Sequence, residues 1–292
     1  MLNSIDDIQK SMEKAKYICD RSLATSVYIS QVLGKPLLLE GEAGVGKTEV
    51  GKVIAEIFQT KLIRLQCYEG LDSAHALYEW NYPKQILEIL LSQTKKGKND
   101  NLNIEKTIFS EKFLLQRPLL EPIQAQSEVP VVLLIDEIDR SDEEFEAFLL
   151  EVLSDFQITI PEIGTIKAKK RPYVTITSNR TRELHDALKR RCLYHWIDYP
   201  SFEKELRIVL TKVPELENKL TQQICDLMQR IREIDFLKKP GIAETLDWAE
   251  ALVALNKDYI DKDTLEETLG CIFKYREDIE KFRELYREGI CF

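Results

Sequence analysis

The 292 residues carry 50 acidic against 41 basic side chains, a formal net charge of −9. That balance argues against a broad nucleic-acid footprint, which needs a clustered basic face. At 44% hydrophobic and 31% charged the composition is that of a globular chain, long enough for two modest domains.

No apolar run approaches the roughly 18 residues of a membrane span. The amino terminus, MLNSIDDIQK, is acidic and helical rather than basic and apolar, so a cytoplasmic protein is expected. Ser4 with Asp7 predicts a capping box ahead of a helical segment that runs, with a break, to about Val32. Gly34-Lys35-Pro36 ends it, and Leu37-Leu38-Leu39 starts a strand. Residues 61–67 (KLIRLQC), 131–135 (VVLLI), 173–177 (YVTIT) and 193–197 (LYHWI) read as further strands. The unbroken apolar run at 131–135 suits a strand buried on both faces of a parallel sheet. Strands alternating with helical stretches give an α/β sheet flanked by helices.

Residues 92–104 are the most loop-like stretch, and a hairpin is expected between Ile158 and Pro172. The basic cluster at 167–171 reads as its solvated loop. Tyr78, Trp80 and Tyr82 read as core or domain packing, or as a loop that grips a partner. Beyond Pro200 helical periodicity takes over, so residues 1–200 and 201–292 are read as an α/β domain and an all-α domain. The six cysteines, at 19, 67, 192, 225, 271 and 291, show no C-x-x-C spacing, and only His75, His185 and His195 could join them. Reduced thiols rather than a zinc site are expected.

Residues 41–48 read GEAGVGKT, between a strand and a helical stretch. This is the phosphate loop in the setting its chemistry requires. Gly41, Gly44 and Gly46 let backbone N–H groups turn inward around phosphate oxygens, with Glu42, Ala43 and Val45 between them, and the helix beginning near Glu49 adds free N–H donors. Lys47 is placed to reach the β- and γ-phosphates and Thr48 to ligate Mg²⁺. The strand 131–135 runs into Asp136-Glu137-Ile138-Asp139. An acid at the carboxyl end of a parallel strand faces the ligand crevice, so Asp136 is expected to hold the Mg²⁺ shell and Glu137 to activate water. Ser141 with Glu144 reads as a second capping box. Thr177-Ser178-Asn179 ends another strand, where Asn179 could position that water.

These stretches resemble the AAA+ ATPases, and within them the MoxR group. The likeness rests on GEAGVGKT, VVLLIDEID, TITSN at 175–179 and ALKRRCLYHWIDYP at 187–200, and covers most of the chain. It implies a P-loop AAA+ core with a five-stranded parallel sheet and a smaller all-α lid, with the TITSN strand between the other two motif strands. It implies ATP and Mg²⁺ as cofactors, a homo-oligomeric ring of hexamer type, and an arginine reaching the neighbouring subunit's γ-phosphate. Arg190 and Arg191 match that arginine, Arg191 the better, and Arg180 and Arg182 lie close. TSNRTRELHDALKRRCLYHWIDYP and ETLDWAEAL are most similar to MoxR-type ATPases linked to carbon monoxide dehydrogenase maturation. The likeness implies a client reached through a von Willebrand A-type partner. Where relatives often carry a sensor arginine in the lid, this chain has Ala243, with Lys238 or Lys239 as possible substitutes.

A GTP-using or nucleic-acid-directed AAA+ motor is the alternative. The guanine signature N-K-x-D is missing, its nearest string being Asn256-Lys257-Asp258-Tyr259, and the acidic balance weighs against nucleic acid.

Overall fold

A computed structural model describes residues 4–72, 76–95 and 108–289. His75, Cys291 and most of the 92–104 stretch lie outside the described residues. The first half runs α1 (Ile5–Lys14), α2 (Arg21–Leu33), β1 (Leu37–Gly41), α3 (Lys47–Ile57), β2 (Leu62–Gln66), β3 (Tyr78–Trp80), α4 (Tyr82–Lys95), β4 (Leu114–Gln116) and α5 (Glu121–Gln124). It continues with β5 (Val132–Asp136), α6 (Glu143–Asp155), β6 (Gln157–Ile160), β7 (Gly164–Lys167), β8 (Tyr173–Ser178), α7 (Asp186–Arg191) and β9 (Leu193–Ile197). After Pro200 come α8 (Phe202–Lys212), α9 (Asn218–Glu233), α10 (Ile242–Ala254), α11 (Lys262–Ile272) and α12 (Arg276–Arg287). No described helix is long and apolar enough to cross a membrane.

Five strands form one parallel sheet in the order β2-β5-β8-β1-β9. The expected strands are all there, and β8 lies between β5 and β1. Every residue of β1, β5 and β8 is buried, as unbroken apolar runs require when helices cover both faces. Leu37, Leu39 and Val132 pack against α1, α2 and α3, while Leu38, Leu133, Ile135 and Ile176 face α6 and α7. The register pairs Gln66 with Asp136 and Glu40 with Ser178, so the polar strand ends lie level along one edge.

Local signals act as read at most positions. Ser4 accepts from the Asp7 N–H at 3.1 Å, and Gly34 closes α2 in the left-handed region at φ 61°. Three readings need correction. The cap of α6 is Asp142, whose carboxylate accepts from the Phe145 N–H at 2.8 Å; the Ser141 hydroxyl instead donates back to the Ile138 carbonyl, closing the short 3₁₀ turn after β5. The β6–β7 hairpin closes at 161–163, so the basic cluster is not its loop: Lys167 ends β7, opposite Gln157, and 168–171 lie on the connection to β8. There the Lys170 ammonium meets the Glu128 carbonyl, and Arg171 stands over the Phe156 ring. Residues 92–95 belong to α4 rather than to a loop. Of the aromatic trio, Trp80 is buried against Phe109, whereas Tyr82 is exposed.

Helices α8 to α12 share their own core around Trp248, Met228, Leu252 and Phe282. At its centre Glu205, fully buried, takes two charge-assisted bonds from Arg232, at 2.6 and 2.7 Å, and a third from the Thr245 hydroxyl at 2.6 Å. Arg232 also donates to the Pro240 carbonyl at 2.8 Å, which fixes the approach to α10. The start of α10 then rests on the glycine-rich turn after β1: the Ala243 N–H donates to the Gly44 carbonyl at 3.1 Å. The contact is close because residue 241 is glycine; a Cβ there would lie 2.8 Å from the Gly44 carbonyl and 2.9 Å from that of Ala43.

Two outcomes follow from this packing. Arg232→Met leaves Glu205 a buried, unpaired charge and is expected to cost about 3–5 kcal/mol in urea unfolding, much of it recovered in Glu205→Leu/Arg232→Met. Gly241→Ala is expected to loosen α10 from the turn at a cost of about 1–3 kcal/mol, read by thermal unfolding. Gly270→Ala, inside α11 with nothing within 4 Å of the new Cβ, is the control and is expected to be neutral or slightly stabilising.

Candidate nucleotide site

β1 ends at Gly41, and the chain turns through 42–46 before α3 begins. Gly46 caps α3 at φ 92°, a conformation that side chains resist, so the helix opens directly onto the turn. The first-turn N–H groups of α3 have no acceptors within the helix and carry its positive end. Lys47 is buried beneath the turn, its ammonium donating to the Gly41 carbonyl at 2.8 Å and the Glu42 carbonyl at 2.5 Å. Burial pushes its pKa down to about 8, against the upward pull of Asp139, Glu42, Asp136 and Glu137.

Asp136, at the carboxyl end of β5, is 1% exposed. Its Oδ1 accepts from the Thr48 hydroxyl at 2.9 Å and the Thr177 hydroxyl at 2.5 Å. Its Oδ2 accepts from Arg64 Nε at 3.0 Å and Nη2 at 2.5 Å. Glu137 follows in the left-handed region at φ 55°, its N–H held by Thr177 Oγ1 at 2.9 Å. This unusual backbone turns the Glu137 carboxylate to the same rim, where Oε2 accepts from Gln66 Nε2 at 3.1 Å and pairs with Arg140 Nε at 2.8 Å. Asp139 organises the neighbouring loop by accepting from the N–H groups of Asn179 at 3.1 Å and Thr181 at 2.9 Å. Burial raises its carboxyl pKa, but the bonds from Thr181 and Asn179 outweigh burial and hold it below the usual range.

A cleft of about 720 Å³ opens beside these groups, between the strand ends and the C-terminal helices. Gly44, Val45, Gly46, Lys47, Thr48, Glu49, Glu137, Thr177 and Asn179 line it, so the fold brings most of the expected residues together. Asp136 stands directly behind Thr48. Gly41 and Glu42 instead hold Lys47 through their carbonyls, and Ala43 faces Gly241. The far end of the cleft is walled by Tyr17, Ile18, Ile208 and Leu246. A second cavity, of about 470 Å³ and lined by Phe58, Phe156 and Tyr173, lies at the other end of the strands, away from these acids.

The basic candidates separate by their surroundings. Arg190 and Arg191 end α7, exposed, with no ion pair among the described residues and outside the cleft of their own chain. Arg182 is committed internally, to Glu146 and to the Ser141 carbonyl, and Arg180 stands over the Trp196 ring. Lys238 and Lys239 do not line the cleft, whereas Ala243 does, so contact with the turn is made by backbone rather than by a substitute cation. Sequence reasoning missed Arg64, Gln66 and Arg140. Arg64 and Gln66 alternate with buried Ile63 and Leu65 and so project from the same face of β2, beside the acids of β5.

The donor set fits a magnesium nucleotide. It offers an ammonium, a helix amino terminus, a hydroxyl and a carboxylate, all suited to phosphate and a hard cation. Among the described residues no group of three His, Cys, Asp or Glu side chains could hold a metal unaided, so a cation at Thr48 and Asp136 would complete its shell with ligand oxygens and water.

A family model described as the ATPase family associated with various cellular activities (AAA) matches residues 37–197. Among solved structures, the chain is similar to the RuvB Holliday junction branch migration motor of Thermotoga maritima, at 18% identity and TM-score 0.46, covering 92% of this chain and 72% of that one. It is also similar to a protein from Cytophaga hutchinsonii described as a candidate ATPase, at 17% identity and TM-score 0.48, covering 90% of this chain and 84% of that one. No curated protein matches the chain. The family match takes in the glycine-rich turn, Asp136 and Glu137 at the end of β5 and the end of β8, and on it the chain belongs to the AAA family of ATPases.

Proposed function

We propose that this chain is a Mg-ATP-dependent ring ATPase of MoxR type that remodels a protein partner. The observation carrying the reading is the meeting of Thr48 and Asp136, 2.9 Å apart, in a cleft that Lys47 and Glu137 also border. In this reading the turn Gly41–Gly46 and the first turn of α3 hold the phosphates, Lys47 leaves its two carbonyls for the terminal phosphates, and Thr48 and Asp136 would hold magnesium. The metal, when bound, supplies charge neutralisation for the transferring phosphoryl group. Glu137 takes a proton from the attacking water, and Asn179, on the loop pinned by Asp139, orients that water.

Residues 1–200 act as the nucleotide-binding domain and 201–292 as a lid that follows the turn through Gly241 and Ala243. Arg190 or Arg191 completes the site of a neighbouring subunit. Their support is exposure without an ion pair among the described residues, against the internal commitments of Arg180 and Arg182. The ring, a hexamer in this reading, works in the cytoplasm on a client reached through a von Willebrand A-type partner, a molybdenum metalloenzyme being the client class that the motif likeness suggests.

Glu137→Gln is expected to keep nucleotide binding while lowering ATP turnover about 10²–10⁴-fold, measured by phosphate release; parallel assays with GTP decide the base. Arg191→Ala is expected to lose about 10³-fold or more, and mixing it with Glu137→Gln to restore part of the turnover, because mixed rings contain sites with both groups intact. Unrestored activity removes the role in trans. Nucleotide affinity is expected to be highest below pH 8. Above it Lys47 loses its proton, and affinity falls by about tenfold toward pH 9.5 in calorimetric titrations, with proton uptake on binding. Lys47→Met is expected to bind weakly with a flat profile.

A further inference from the structure

Arg64 makes the ion pair on Asp136, a contact that the proposed chemistry does not use. It lies on β2, the edge strand, with its side chain 48% exposed, yet its guanidinium reaches inward to a carboxylate that is 1% exposed. Both Nε and Nη2 end on Asp136 Oδ2, at 3.0 and 2.5 Å. The same Nη2 also donates to Gln66 Oε1 at 2.5 Å, which fixes the amide so that its Nε2 faces Glu137 Oε2 at 3.1 Å. Arg64 and Gln66 thus link the two acids, while Arg140 pairs with Glu137 Oε2 separately at 2.8 Å.

A divalent cation entering beside Thr48 would approach the same carboxylate. Two cations within a few ångströms of one partly desolvated oxygen pair repel strongly, and the one with an open path to water can leave at the smaller cost. Arg64 has that path. Resting on the magnesium-nucleotide reading above, we propose that Arg64 is a positioning residue that neutralises Asp136 before the metal arrives and is displaced from Oδ2 by the incoming cation.

Mn²⁺ titrated into protein saturated with ADP, followed by its electron paramagnetic resonance signal, reads this exchange without turnover. Arg64→Met is expected to bind Mn²⁺ about tenfold more tightly than the parent chain. Arg64→Lys, which keeps the charge, is expected to stay near the parent, as is Gln66→Leu, and Asp136→Asn to bind weakest. If Arg64→Met fails to fold, Arg64→Gln carries the same expectation. Equal or weaker Mn²⁺ binding by a folded Arg64→Met overturns the inference alone, and so does a gain of the same size in Gln66→Leu. A parent chain that takes up no Mn²⁺ with ADP overturns the nucleotide-site reading itself.

Discussion

The meeting of β2, β8 and α3 beside the cleft depends on one carboxylate, that of Asp136. Asp136 is almost wholly removed from water, and a charge in that position persists only if its oxygens are fully engaged. Its partners come from three directions: Thr48 from the first turn of α3, Thr177 from β8 and Arg64 from β2. The requirement to satisfy Asp136 thus fixes the relative heights of three strands and the entry of a helix. The parallel register supplies those heights, and the side chains secure them.

Much of this arrangement was legible beforehand because it is written in local signals. The unbroken apolar runs gave the buried strands, the glycine spacing gave the turn, and the acids after VVLLI gave the strand end that faces the cleft. What escaped reading is non-local. Arg64 and Gln66 look like the polar face of an edge strand, which is how charged residues usually blunt such an edge. Their role at the acids depends on register with β5, which alternation within β2 alone does not specify. Asp142 displaced Ser141 as the cap of α6 for a related reason: the serine hydroxyl is taken by the turn that follows β5, a contact decided by where β5 stops.

The C-terminal helices show the same economy of charge. Glu205 and Arg232 are both buried, and their pairing costs desolvation that apolar side chains would not incur. What the pair supplies is direction. By donating to the Pro240 carbonyl, with Thr245 held on Glu205, Arg232 sets the angle at which α10 leaves its loop. A greasy pair could fill the space but not orient a main-chain carbonyl.

That angle matters because of how α10 meets the turn after β1. An arginine reaching across a cleft has several rotatable bonds and can lengthen, bend or let go. The link from the Ala243 nitrogen to the Gly44 oxygen has no rotamers, and Gly241 leaves no padding between the two chains. A shift of the turn by a fraction of an ångström must therefore be passed on as a tilt of α10 and of the helices packed on it. In the proposed reading the lid would be geared to the loop rather than tethered to it, through peptide groups that no side-chain inventory of the sequence would count.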